Sequence, residues 1–440
     1  MSASTTTSSL RARSRTKRAA FGFLVALGAG GFAHGSEAAG LTDWLGLAGT
    51  ARTSFFTKDN TFTDAPGVQN DSLWVTAKPP EFVQIKSYFD ARIQAQLVNG
   101  NSRLSADLRE GYLERTLGNF EIKAGRQIVV WGRADKINPT DSWSIRDYKL
   151  LVTDDDDQRI GATAVQVAWS AGAGRVIAIW QPEFRFPILP IPPLPAGTSL
   201  TNLAASPQAD QFGLKFDHSG DGADWSLSYA HPINRTPDLA LLPSSLSGTG
   251  LRSVETRLGL RYNFADVVGA DAAVPIGQYG LRGEIAYTHA RNREGADPLA
   301  QDSNLFGVLG VERTWAELNI NLQYLYKRSF DFRGVDSIAD PNLRALAQQA
   351  RLFSNQLAPN MDGASLRVDY KAFNETLETE VSAAMWFKKD DLLLTAKVSY
   401  AFTDRIKGIL GADVFSGPTD SFFGRLRHTS TAFLEFRLGL

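Results

Sequence analysis

Hydrophobic and polar residues alternate with a period of two along most of the chain after Leu41. Between Val83 and Leu97 one set of alternate positions is Val83, Ile85, Ser87, Phe89, Ala91, Ile93, Ala95 and Leu97. The set between them is Gln84, Lys86, Tyr88, Asp90, Arg92, Gln94 and Gln96. Between Val254 and Phe264, Leu258, Leu260, Tyr262 and Phe264 oppose Glu255, Arg257, Arg261 and Asn263. The same alternation runs through 316–327, 364–371, 377–387 and 392–400. It is the period of a strand with one apolar and one polar face. The runs reach the roughly 9 to 11 residues that a tilted strand needs to cross a bilayer, whereas strands of soluble domains average about 5 to 6.

The pattern predicts 18 strands, near 43–56, 70–78, 82–98, 103–117, 120–131, 160–170, 174–181, 210–217, 224–230, 253–264, 278–290, 304–313, 315–328, 363–372, 375–388, 391–402, 404–415 and 426–440. If the first two fail, the count is 16. The connections alternate between long ones (132–159, 182–209, 231–252, 290–304, 329–362) and short ones such as Leu117-Gly118-Asn119 and Arg313-Thr314-Trp315. Two depart from this alternation: 265–277 is long where a short turn is due, and Lys388-Lys389-Asp390 is short where a long loop is due. Short periplasmic turns, long outer loops and an even strand count belong to outer-membrane barrels. The expected fold class is therefore all-β: a transmembrane, antiparallel, up-and-down β-barrel over 40–440 with a polar lumen. The last strand, with Leu434, Phe436, Leu438 and Leu440 on one face, suits recognition by barrel-assembly machinery, although the usual last residue is Phe. One helix is predicted after Asp340-Pro341, with Leu343, Leu346, Ala347, Ala350 and Phe353 on one face.

The first residues follow another rule. Arg11, Arg13, Arg15, Lys17 and Arg18 precede a short apolar stretch from Ala19 to Leu27, then small residues up to Gly35. This is the layout of a secretory signal peptide, here 1–35 with cleavage near 35–39. Its removal leaves 41 basic against 47 acidic residues, net −6. That balance gives no reason to expect nucleic acid. A mean hydropathy of −0.18 excludes a bundle of membrane helices. Cysteine is absent, so disulfides, thiolate metal sites and a cysteine nucleophile are excluded.

The polar faces carry the candidate pore lining: Lys86, Asp90, Arg92, Asp107, Arg109, Glu121, Lys123, Arg257, Arg261, Arg282, Glu284, Arg367, Asp369, Lys371, Glu378, Glu380 and Lys397. Both signs occur, so pairing across strands is expected first and selectivity second. The loop 132–159 carries Arg133, Asp135, Lys136 and Arg146, then Asp154, Asp155, Asp156 and Asp157. Folded inward, it would form a constriction. Four consecutive carboxylates call for water, arginine partners or a cation, and a Ca²⁺ site is one reading. The Pro-rich apolar stretch 182–195 is either a contact for a hydrophobic solute, a lid, or a loop packed on its neighbours. No P-loop, GxGxxG or HExxH motif is present, and His218, His231, His289 and His428 have no recognisable serine partner. An enzyme is not expected, and neither is a cofactor.

The segment Gly125-Arg126-Gln127-Ile128-Val129-Val130-Trp131-Gly132, followed by Ile137-Asn138-Pro139-Thr140-Asp141 and Trp180-Gln181-Pro182-Glu183-Phe184, resembles a Proteobacterial outer-membrane barrel family catalogued as a domain of unknown function. The specific match covers 125–184. It implies a porin-like barrel in the outer membrane. Because members are often encoded near RND-type exporters and lipid-carrier-like periplasmic proteins, it also implies a part in envelope transport. The expected function is a channel or transport barrel for small solutes, with outer-membrane lipid and the assembly machinery as partners. One alternative is the outer-membrane component of an exporter route for hydrophobic compounds or lipids. The other is a secreted, soluble all-β binding protein.

Overall fold

The computed structural model describes residues 44–59, 67–98, 101–191, 194, 197–204, 210–243, 246–247, 253–254 and 256–440. The basic leader and its expected cleavage region lie outside the described residues. Eighteen strands form one antiparallel sheet closed on itself. They are β1 (Leu47–Phe56), β2 (Val68–Ala77), β3 (Ile85–Val98), β4 (Asn101–Leu117), β5 (Phe120–Gln127), β6 (Ala162–Ala171), β7 (Gly174–Gln181), β8 (Gln211–His218) and β9 (Asp224–His231). The second half comprises β10 (Asp266–Ile276), β11 (Tyr279–His289), β12 (Asn304–Trp315), β13 (Leu318–Ser329), β14 (Asn360–Ala372), β15 (Leu377–Trp386), β16 (Asp391–Ala401), β17 (Ile406–Ser416) and β18 (Thr431–Gly439). Neighbours in sequence pair throughout, and β1 closes the ring on β18 from Thr50↔Gly439 to Phe56↔Phe433.

The alternation sorts side chains to the two faces. On β3, Phe89, Ile93 and Leu97 are exposed while Asp90, Arg92 and Gln94 are buried. On β18, Leu434, Phe436 and Leu438 are exposed while Thr431, Phe433 and Glu435 are buried. The outside is therefore apolar and the inside polar, the inverse of a water-soluble β core. Closure leaves no unpaired strand edge, which is the condition for a sheet to sit in hydrocarbon. The start of β3 departs from the expected strand: Val83 and Gln84 both have positive φ, 51° and 59°, and form the turn before it.

The strand count of 18 holds, but one member differs from expectation. Thr256–Tyr262, read as wall, pairs in parallel with Thr198–Ala204 and antiparallel with Asp238–Leu242, in a separate three-stranded sheet. Residues 265–277, read as a long connection, supply β10 instead. The apolar face of 256–262 has a protein core to bury against: Leu260 and Tyr262 cluster with Ile233, Leu239, Leu299, Ala347 and Ala350. With β10 in the wall, every connection at one end is short. The other end carries the connection 57–67 and the longer segments 128–161, 182–210, 232–265, 290–303, 330–359 and 417–430, while 99–100 and 387–390 are short there.

The long-loop end thus carries a cap with its own apolar centre. Helix α1 (Pro341–Ser354) begins as predicted, with the Asp340 carboxylate accepting from the N–H of Asn342 and Leu343. It ends on Asn355 in the left-handed region at φ 48°. The Pro-rich stretch packs here too: Phe184, Phe186, Leu189 and Ile191 lie against the same cluster. The stretch packs on its neighbours, with Ile188 and Leu194 left exposed. Leu194 belongs to the described residues, whereas 192–193 and 195–196 do not.

Candidate functional site

The loop 128–161 folds into the barrel and meets the inner wall on three sides. Val129, Trp131 and Trp143 pack against Ala164, Ile179, Ala230, Val267 and Ala286, the inward residues of β6, β7, β9, β10 and β11. The two indoles meet edge to face at 5.5 Å. Ala134 and Ile137 pack against the Val308, Leu325, Met361 and Trp386 cluster on β12 to β15. Leu151 packs against Phe56, Val68, Ile409 and Phe433 on β1, β2, β17 and β18. The wall is shaped to receive the loop. A Cβ on Gly213 would stand 2.6 Å from the Trp143 ring and 2.8 Å from Trp131, and one on Gly269 would stand 2.6 Å from Thr140.

Polar contacts complete the attachment. The Glu284 carboxylate on β11 accepts from the backbone N–H of Arg133 and Ala134 (both 2.9 Å), the N–H of Thr140 (2.7 Å) and its hydroxyl (2.8 Å). Gly132 makes this possible: its φ is +102°, and a Cβ there would lie 2.6 Å from both Glu284 oxygens. Arg133 bridges Asp217 on β8 at 3.1 Å and Asp271 on β10. Asp135 meets Arg367 at 2.9 Å, and Lys136 meets Glu380 at 2.6 Å. Thr153 donates to Glu435 on β18 at 3.0 Å.

Asp154 is extended and Asp155, Asp156 and Asp157 open a 3-10 turn, Asp155–Gln158, so the four side chains point in different directions. Asp154 binds Lys397 (2.9 Å) and Arg437 (2.7 Å). Asp156 faces Arg159 (3.3 Å) and Arg146 (3.9 Å), and Asp157 faces Arg52 (2.5 Å). Asp155 offers its carbonyl to Arg146 at 2.9 Å. This corrects the calcium reading: Ca²⁺ needs several oxygens converging on one point, and among the described residues no group of three or more acidic or His residues converges on a metal position. Burial alone would raise the Asp154 carboxyl. Arg437 and Lys397 outweigh it and hold the group well below the usual carboxylate range.

The other sequence candidates divide by place. Asp90 pairs with Arg109 at 2.7 Å, and Arg109 also donates to the carbonyls of Asp156 and Arg159. Arg92 lies over the Trp74 ring and donates to the Asp157 carbonyl. Asp107 meets Arg185, which descends from the Pro-rich stretch, at 3.3 Å. Arg282 meets Glu312 at 2.7 Å, Arg367 meets Asp369 at 2.9 Å, and Glu380 meets Lys397 at 3.2 Å. Toward the short-turn end, Lys86 faces Glu114 (3.5 Å), Glu121 faces Arg175 (2.9 Å), and Lys371 faces Glu375 (3.0 Å). There too, Glu378 faces Lys407, and Lys123 sits 3.7 Å from the Tyr112 ring centre. Arg257 and Arg261 are not on the wall at all. They stand on the three-stranded sheet of the cap, because that segment buries its apolar face in a protein core.

Several interior charges escape strict alternation. A register shift opposite Asp90/Ala91 turns both Arg109 and Glu110 inward, and Glu110 accepts from the Ile128 N–H at 3.0 Å. A bulge of this kind leaves no clear mark in sequence. Asp271 was hidden because its strand was read as a connection. Arg52, Asp217, Glu435 and Arg437 stand at inward positions that the alternation could have supplied.

No family model matches the chain and no curated protein matches it. Solved structures do resemble it. The Pseudomonas aeruginosa structure of OccK7 (OpdD) superposes with a TM-score of 0.51 at 9% identity, over 90% of this chain and 98% of that one. The outer membrane protein OpdK of the same organism gives 0.51 at 8%, over 90% and 98%. OprD, also of P. aeruginosa, gives 0.50 at 11%, over 90% and 94%. At such identities the likeness is one of fold.

Proposed function

We propose that this chain is an outer-membrane channel of the porin type, passing small solutes through a polar lumen narrowed by the loop 128–161. The observation that carries this reading is the loop itself, tied to the inner wall of a closed, apolar-sided barrel on three sides. A loop so fixed sets the bore of the lumen, as constrictions do in pores whose selectivity comes from lining charge. The similar structures support it, since one is that of an outer membrane protein. The leader-like first residues and the resemblance across 125–184 add the compartment and a place among envelope barrels whose role is not catalogued.

The lining charges then act as paired, fixed dipoles, and the solute passes where the pairing is incomplete. The hydrophobic-export reading is less favoured, because Phe184, Phe186, Leu189 and Ile191 of the Pro-rich stretch are already partly buried against the cap cluster. A soluble binding protein does not fit the exposed apolar outside. The test is conductance of the purified barrel in planar bilayers. Discrete, steady openings are expected, and a barrel that inserts but stays silent contradicts the proposal.

A further inference from the structure

On the long-loop side of the internal loop lies a chamber of about 300 Å³, at the small end of ligand sites. Its walls are the outer edge of the internal loop, the start of the loop 232–265 and the upper ends of β10 to β13. Five cationic side chains line it: Lys136, Arg146, Arg159, Arg235 and Lys327. Asp141 is the one lining carboxylate. Lys136 is matched by Glu380, and Arg146 and Arg159 share Asp156. Arg235 and Lys327 have no carboxylate partner among the described ion pairs. All three guanidinium nitrogens of Arg235 are buried without a hydrogen-bond partner. The Lys327 ammonium donates only to the Ser354 carbonyl, at 2.8 Å.

Asp141 is the one carboxylate acting on Arg235, which also stacks on the Phe184 ring at 5.1 Å, so the chamber holds five cations against a single lining carboxylate. Burying such an excess of charge is costly, and a ligand of opposite charge offsets it. Three donors in a planar fork match an oxyanion better than a spherical ion. The hydroxyl of Ser144, also buried without a partner, lines the same chamber. We infer that this chamber is a binding site for a small oxyanion, carboxylate or sulfonate/phosphate in type, with Arg235 and Lys327 as its anchoring charges. Resting on the channel reading, it makes the chamber the station where an anionic solute is held before the constriction.

The test is calorimetry on the detergent-solubilised full barrel at pH 7.5, with sulfate and succinate as probes and tetramethylammonium as the cationic control. Both anions bind the unaltered protein and the cation does not. The double variant Arg235→Gln, Lys327→Gln weakens both at least tenfold. The better-bound anion tells which oxyanion chemistry the site prefers. If the double variant loses the gel shift of a folded barrel, the single change Lys327→Gln, at a side chain that contacts one carbonyl and the Phe306 ring at 6.0 Å, carries the comparison. Absence of anion binding, or binding unchanged in the folded variants, overturns the inference. A barrel that conducts but binds neither anion refutes this site alone, and a silent barrel that binds both refutes the channel reading alone.

Discussion

At the scale of single residues, Glu284 sets the position of the internal loop. Its carboxylate gathers three backbone donors and one hydroxyl where the chain turns inward. Replacing it with Ala strands those donors in the interior, at a cost of about 3 kcal/mol or more. Glu284→Ala is expected to lower the temperature of the heat-induced gel shift and to raise conductance. Gln, which keeps one carbonyl acceptor, should fall between. Asp141 gives a pH prediction. Burial pushes its carboxyl up to about 6, against the Ser144 N–H and the charges of Arg159 and Arg146. Lys136, Arg235 and Lys327 line the same chamber. Below about pH 6 Asp141 is neutral and the chamber is more positive; above it Asp141 repels an anion. Sulfate, which stays doubly charged, should bind several-fold tighter at pH 5 than at pH 7.5, and Asp141→Asn should bind tightly at both. An unaltered pH profile in Asp141→Asn would contradict this. Sequence could place Glu284 on a polar face but not show what it holds, since its partners lie some 150 residues away in the chain.

At the scale of elements, the wall and the loop are fitted to each other, and this explains where the strand pattern misled. An inward strand position is normally polar, but β10 presents Val267 and Gly269 there because Trp131, Trp143 and Thr140 lie on that side. The segment therefore loses the alternation that marks a strand. Residues 256–262 keep a clean alternation because a three-stranded sheet over an apolar cluster imposes the same period. Period two reports a half-buried strand, not which surface it is half buried in. The turn and loop lengths held the correction, since a long connection at 265–277 broke their rhythm. The fit predicts that Gly213→Val, whose added carbons meet the Trp143 and Trp131 rings, displaces the loop and leaves the barrel closed. Conductance should change while the gel shift persists. Trp143→Ala should destabilise the protein by about 3 to 5 kcal/mol through the cavity it leaves, read as a lower temperature of the heat-induced gel shift.

For the whole molecule, the barrel supplies a fixed ring, the internal loop crosses its interior, and the cap stands on the long-loop end. The ring was legible from sequence because an apolar outside and a polar inside impose one simple period along nearly all wall strands, β10 being the exception. The interior was legible only as a list of charges. Which of them hold the loop, which face an open chamber and which, like Arg257 and Arg261, belong to the cap depends on contacts distant in sequence. The claim that joins these levels is that the loop narrows a conducting lumen. The most direct test is single-channel conductance in planar bilayers of the intact protein beside a variant in which residues 133–158 are replaced by a short Gly/Ser connector. The account predicts small, steady openings for the intact barrel and a several-fold larger conductance, with weaker ion selectivity, once the loop is gone. Equal conductance for the two, or silence in both from barrels that have inserted, would contradict it.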